Sequence, residues 1–173
     1  GSGYVPYDDE GTKARKNYLI KNGILAGRLH SGQTAAALGE DLTGNARAID
    51  CTFEPIVRMT TTYIEPGDQT FEQLIAPIQK GYYIKTISHG SGMSTFTIAP
   101  RLAYEIENGH LGKPTQISVI TGSVFETLGL IDGLSNELTL LSFVTGGCGK
   151  MEQQGLPVGF GGPCVRVSEM NVQ

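Results

Sequence analysis

Cys148 stands in Gly146-Gly147-Cys148-Gly149-Lys150, a setting that could carry chemistry. Glycines on both sides let backbone come close and leave the thiol poorly shielded. Lys150 could favour the thiolate, the form that binds metal or attacks electrophiles. The plainer alternative is a small side chain buried in a tight loop. Cys51 and Cys164 lack such a neighbourhood and read as packed side chains. Three cysteines at no repeated spacing do not make a disulfide framework, and a reducing cytoplasm is the expected location.

The three histidines, His30, His89 and His110, form no pair at His-Glu-x-x-His spacing. His30 ends a predicted strand and His110 follows a predicted turn, so both read as solvated loop residues. His89 lies in Ser88-His89-Gly90-Ser91-Gly92, read as a flexible loop, where it could serve Cys148 in a self-contained thiol enzyme. The acidic run Asp8-Asp9-Glu10-Gly11 is either a solvated turn or a site for a metal, a peptide amine or a basic partner. A phosphate loop is excluded around Lys150, because Val144 replaces its first glycine and Met151 its Ser or Thr. Gly90-Ser91-Gly92 is too short for a nucleophile elbow.

The elements that must position these residues are mostly strands. Asn22-Gly23 and Asn108-Gly109 supply the positive φ angles of type I′ hairpins, between Asn17–Lys21 and Ile24–His30 and after Arg101–Glu107. Ile56 to Ile64 alternates Val57, Met59 and Tyr63 against Arg58, Thr60 and Thr62, the period of one half-buried strand. Further strands are expected at 82–88, 95–98, 117–120, 138–144 and 165–172. Ser31 can cap a short helix stopped by Gly39, and Thr70 to Gln73 has capping-box spacing for a helix over 71–80 that Pro77 should shorten. A third helix is expected over 124–131. The predicted class is α+β, predominantly antiparallel sheet, in a single domain over 1–173.

Composition narrows the function. Glycine accounts for 24 of 173 residues, about twice its usual share, as suits turns and close backbone approaches. Net charge is −4 and the pI about 5.3, with no basic run, so bulk charge does not point to nucleic acid. No stretch approaches the roughly 18 apolar residues of a membrane span, so no membrane is expected among its partners.

Several segments in order carry a more specific signal. They are Tyr7-Asp8-Asp9-Glu10-Gly11, Thr43-Gly44-Asn45-Ala46-Arg47, Pro55-Ile56-Val57-Arg58-Met59-Thr60 and Tyr63-Ile64-Glu65-Pro66-Gly67. Ile106-Glu107-Asn108-Gly109, Cys148-Gly149-Lys150, Gln153 and the tail from Pro157-Val158-Gly159 to Gly162-Pro163 follow. Together they resemble, over nearly the whole chain, the carboxy-terminal part of the TldD/PmbA family of metallopeptidases, once called modulators of DNA gyrase.

The resemblance implies a zinc-dependent peptidase acting on small or unfolded peptides, including the maturation of leader-bearing peptide antibiotics. It implies zinc held by two histidines of a His-Glu-x-x-x-His helix and by a cysteine that maps onto Cys148. That helix belongs upstream of Asp8, so the expectation is a chain that supplies one metal ligand and the substrate-binding scaffold, is inactive alone and holds no zinc in isolation. Cys148 with Lys150 and Gln153 favours the metal-binding branch, and Lys150, Gln153, Asp8 and Asp9 are the candidate binding residues. The implied partners are a peptide substrate and a second subunit, in a homodimer or a heterodimer with a TldE/PmbA-like chain. The alternative is a non-catalytic peptide-binding or assembly module that partners a catalytic TldD-like subunit.

Overall fold

The computed structural model describes residues 1–142 and 147–173 with their side chains. Phe143, Val144 and Gly146, part of the apolar run and of the glycine-rich segment read above, lie outside the described residues.

The elements in chain order begin with a hairpin, β1 (Ile20–Lys21) and β2 (Ile24–Leu25), then α1 (Gly32–Leu38), β3 (Ala46–Arg47), β4 (Ile56–Val57) and β5 (Thr61–Tyr63). Next come α2 (Phe71–Ile75), the long β6 (Lys80–Gly92) and β7 (Thr95–Glu107), β8 (His110–Thr115), β9 (Ile120–Ser123) and α3 (Val124–Gly129). The chain closes with β10 (Ile131–Leu134), β11 (Thr139–Lys150), β12 (Gln153–Gly162), β13 (Val165–Val167) and β14 (Asn171–Val172). The fold is α+β and mostly antiparallel, with three short helices; the parallel pairing of β12 with β5 departs from that pattern.

Local chemistry explains the small elements. Asn22 and Gly23 adopt φ of 52° and 75°, and Asn108 and Gly109 adopt 49° and 77°, the left-handed pair that a two-residue hairpin turn needs. Ser31 and Thr70 each cap a helix through a full capping box, completed by Thr34 and Gln73. Pro77 ends α2 well before residue 80, since a proline in the next turn has no N–H to continue the ladder.

Two compact units emerge. The first comprises Gly1–Ile64 with Thr139–Gly161, and the second Glu65–Leu138 with Gly162–Gln173. In the second, β7 is the spine of a five-stranded sheet. It pairs with β6 along its length, with β9 over its first half and with β8 over its second. Ala103, Ile117 and Ile120 form the centre of its core, with Ile84, Ile98 and Met170 against them.

The first unit is held together differently. Its buried side chains include Ala46, Leu156 and Val158, but also Asp8, Asn45, Arg47, Arg58 and Gln153. Most of the polar groups of these five are bonded to backbone, which offsets the loss of water.

Several expectations require correction. The strand over 56–64 is two pieces, because residues 58–60 turn the chain from an antiparallel partner, β3, to a parallel one, β12. His30 is buried, not solvated. His89 lies within β6 and not in a loop, although its side chain is exposed. Cys51 is exposed and not packed.

Candidate functional site

Cys148 sits near the end of β11, not in a loop, and is half-buried. Three residues on, Met151 at φ 53° makes the reversal into β12. Gly147 before it has φ 100°, and a Cβ there would lie 2.2 Å from the carbonyl oxygen of Leu156. Only glycine permits that approach, which lays the Cys148 segment closely against β12.

Three side chains tie this hairpin to neighbouring segments of the same unit. Arg58 Nη2 donates to the Cys148 carbonyl at 2.5 Å, and Lys150 Nζ donates to the Val57 carbonyl at 2.9 Å. Gln153, at the start of β12, accepts the Ile49 amide at 2.9 Å through Oε1 and donates to the Glu54 carbonyl at 2.9 Å through Nε2. All three positions thus meet the 49–58 segment, Cys148 and Lys150 at its end and Gln153 nearer its start.

Asp8 and Asp9 brace the same unit from its amino-terminal turn. Asp8 Oδ1 accepts the amides of Thr12 at 2.7 Å and Glu10 at 3.2 Å, while Oδ2 accepts the amide of Ala46 at 3.0 Å. Asp9 Oδ2 accepts the Ala48 amide at 2.7 Å. Next to this, Arg47 donates to the carbonyls of Met59 at 2.7 Å and Pro157 at 3.1 Å. Burial lowers the pKa of Arg47; Asp9 and Cys148 oppose the fall, and the nearby guanidinium of Arg58 adds to it.

Sequence reasoning assigns Arg47 and Arg58 no role of their own. The available signal is a charged side chain inside Ile56-Val57-Arg58-Met59, in a chain with only 17% charged residues. An arginine flanked by apolar residues at the end of a short strand is a candidate for burial with its backbone partners.

A catalytic zinc ion takes three protein ligands and keeps one open position. Among the described residues no group of three or more His, Cys, Asp and Glu side chains could hold a metal. Cys148 brings one suitable soft donor, and the carboxylates of Asp8 and Asp9 are already engaged with backbone amides. The described residues of this chain by themselves do not compose a zinc centre. His89 and His110 are both exposed, in β6 and β8 of the second unit.

This mostly antiparallel fold with its braced Cys-Gly-Lys hairpin defines a recognisable class. The chain belongs to the PmbA/TldD metallopeptidase family: the profile of the PmbA/TldA metallopeptidase C-terminal domain matches residues 1–173. Among curated relatives, it is 40% identical to a metalloprotease of Synechocystis over 98% of this chain and 36% of that protein. It is 35% identical to the zinc metalloprotease TldD homolog of Saccharolobus solfataricus over 99% of this chain and 38% of that protein. The chain therefore spans little more than a third of the length of these relatives.

Solved structures give the same fold. TldE of Thermococcus kodakarensis superposes with a TM-score of 0.70 at 25% identity, over 93% of this chain and 36% of that one. A Thermotoga maritima protein named for modulation of DNA gyrase superposes at 0.72 with 24% identity, over 99% and 36%. No helix among the described residues is long and apolar enough to cross a membrane.

Proposed function

We propose that this chain is the carboxy-terminal part of a zinc-dependent peptidase acting on small or unfolded peptides. Its contribution is one metal donor, the Cys148 thiolate, and the scaffold that holds it; the other donors and the water-activating glutamate come from outside the chain. The observation that carries the reading is the bracing of the Cys148 hairpin by Arg58, Lys150 and Gln153. A cysteine that only fills space does not need its carbonyl and the residues that follow it fixed to a neighbouring segment. Lys150, Gln153, Asp8 and Asp9, the candidate binding residues, each also hold a backbone segment of that scaffold. The name of the Saccharolobus relative supports zinc as the metal.

The test uses the intact protein that carries this chain. Cys148→Ala is expected to lower bound zinc to well below one per chain and to abolish peptide hydrolysis. Full zinc occupancy in that variant overturns the reading.

The second reading, a non-catalytic assembly module beside a catalytic TldD-like subunit, has its own support. The β1–β2 hairpin leaves Ile24 70% and Leu25 74% exposed, and an isolated two-stranded hairpin is at best marginally stable in water. The fold shared with TldE points the same way. Under either reading the chain associates, with a second copy or with a TldE/PmbA-like subunit. A monomer at high micromolar concentration by sedimentation counts against association.

A further inference from the structure

Arg58 is only 1% exposed, and two of its guanidinium nitrogens, Nε and Nη1, have no hydrogen-bond partner among the described residues. Its side chain donates from Nη2 to the Cys148 carbonyl. A second buried guanidinium, that of Arg47, lies close enough for the two charges to repel. Burying an incompletely paired charge beside a like charge opposes folding, and replacing such groups by apolar ones of similar size is often neutral or stabilising. Stability therefore does not account for an arginine at this position.

Neither is the Arg58 side chain needed to anchor its own backbone. The Arg58 amide donates to the Asn45 carbonyl at 2.9 Å, and its carbonyl accepts from Asn45 Nδ2 at 3.0 Å. What the side chain adds is a grip on the carbonyl of Cys148. That grip matters because Gly147 and Gly149 flank the cysteine, and glycine restrains backbone rotation least. With the carbonyl held on one side and Gly147 lodged against the Leu156 carbonyl on the other, the backbone of Cys148 is restrained at both ends, and with it the direction of the Cα–Cβ bond.

We propose that Arg58 is a positioning residue: by holding the Cys148 carbonyl between two glycines, it sets the direction in which the Cys148 thiol is presented. The zinc consequence rests on the reading of Cys148 as a metal donor, whereas the thiol consequence does not. Partners that orient a metal ligand from behind typically contribute about 10–100-fold to metal affinity.

The experiment compares Arg58→Met and Arg58→Lys with the wild type in the intact protein. The first measurement is iodoacetamide alkylation of Cys148 in metal-stripped protein, read by mass spectrometry as a ratio to Cys164 in the same molecules. The second is zinc affinity by competition with a chromophoric chelator, and the third is the unfolding midpoint. Arg58→Met is expected to keep its midpoint within a few degrees while the alkylation ratio changes about fivefold or more and zinc affinity falls about 10–100-fold. Arg58→Lys, which keeps a donor in reach of the carbonyl, is expected to recover most of both.

An unchanged alkylation ratio in Arg58→Met overturns the proposal. So does a parallel rise at Cys148 and Cys164 with a lowered midpoint, the signature of general loosening. If Arg58→Met does not fold, Arg58→Gln, whose shorter amide does not reach the carbonyl, is judged by the same criteria. Unchanged zinc affinity in Cys148→Ala would remove the metal reading, and the alkylation ratio would still decide the role of Arg58.

Discussion

Asp8 Oδ2 accepts the backbone amide of Ala46 at 3.0 Å, joining points 38 residues apart in a unit with little apolar core. The other carboxylate oxygen takes the amides of Glu10 and Thr12. Asp8→Ala leaves these amides without their acceptor and is expected to destabilise the protein by ~2–3 kcal/mol. Asp8→Asn keeps one acceptor oxygen and should lose about half of that. Urea unfolding midpoints of the two variants check the order.

Gln153 offers a sharper test of bonding against shape. Its Oε1 accepts from the Ile49 amide and its Nε2 donates to the Glu54 carbonyl. Gln153→Glu preserves shape and the first bond but sets a carboxylate oxygen against a carbonyl oxygen in a site only 5% exposed. The expected loss is ~2 kcal/mol or more at neutral pH, shrinking as the new carboxylate is protonated on acidification. Unfolding midpoints at neutral pH and at about pH 4, near the ordinary glutamate pKa, measure it.

Buried His30 reaches Glu40 through Nε2 at 2.7 Å and Thr34 through Nδ1 at 3.1 Å, and Arg28 pairs with the same glutamate. The hydrogen bond from His30, and then Arg28, holds the Glu40 carboxyl below its usual range despite some desolvation. A depressed folded-state pKa adds stability that is present above the ordinary carboxylate value and is lost as pH falls through the folded one. Wild type should therefore exceed Glu40→Gln in melting temperature at neutral pH, with the gap closing as the pH falls below the ordinary glutamate range. A gap that stays constant across this acid range would contradict the account.

Two glycines should respond in opposite directions to alanine. Gly147 combines φ of 100° with a backbone oxygen 2.2 Å from where an alanine methyl would sit. Gly147→Ala should cost ~3 kcal/mol or more and disturb the Cys148 hairpin. Gly129, the last residue of α3, has open space around it and needs no positive φ. Gly129→Ala should stabilise by about 0.5–1 kcal/mol through helix propensity and a less free unfolded chain. Calorimetric melting of both variants provides the comparison.

Signals that act within a few residues are legible in the chain. Asn-Gly pairs mark the β1–β2 and β7–β8 turns, and Ser31 and Thr70 mark helix starts, because turn and cap chemistry is local. The break in the 56–64 strand is hidden for the opposite reason. Its alternation is consistent with one strand, but only the distant partners β3 and β12 reveal that it changes neighbours after Arg58. His30 resembles a loop residue because nothing near it in sequence announces Glu40 as its buried partner.

The amino-acid sequence by itself determined the class of fold, the turn and cap positions, the family resemblance and the singling out of Cys148 between glycines. Each depends on residue type at short spacing or on order along the chain. Tertiary structure alone decided which backbone segments the motif residues hold. Asp8, Gln153 and Lys150 hold backbone segments 38, 104 and 93 residues away, and Arg58 reaches across 90 residues to Cys148. A side chain's polarity declares that it needs a partner when buried, but which carbonyl or amide satisfies it is fixed only when remote strands are brought side by side.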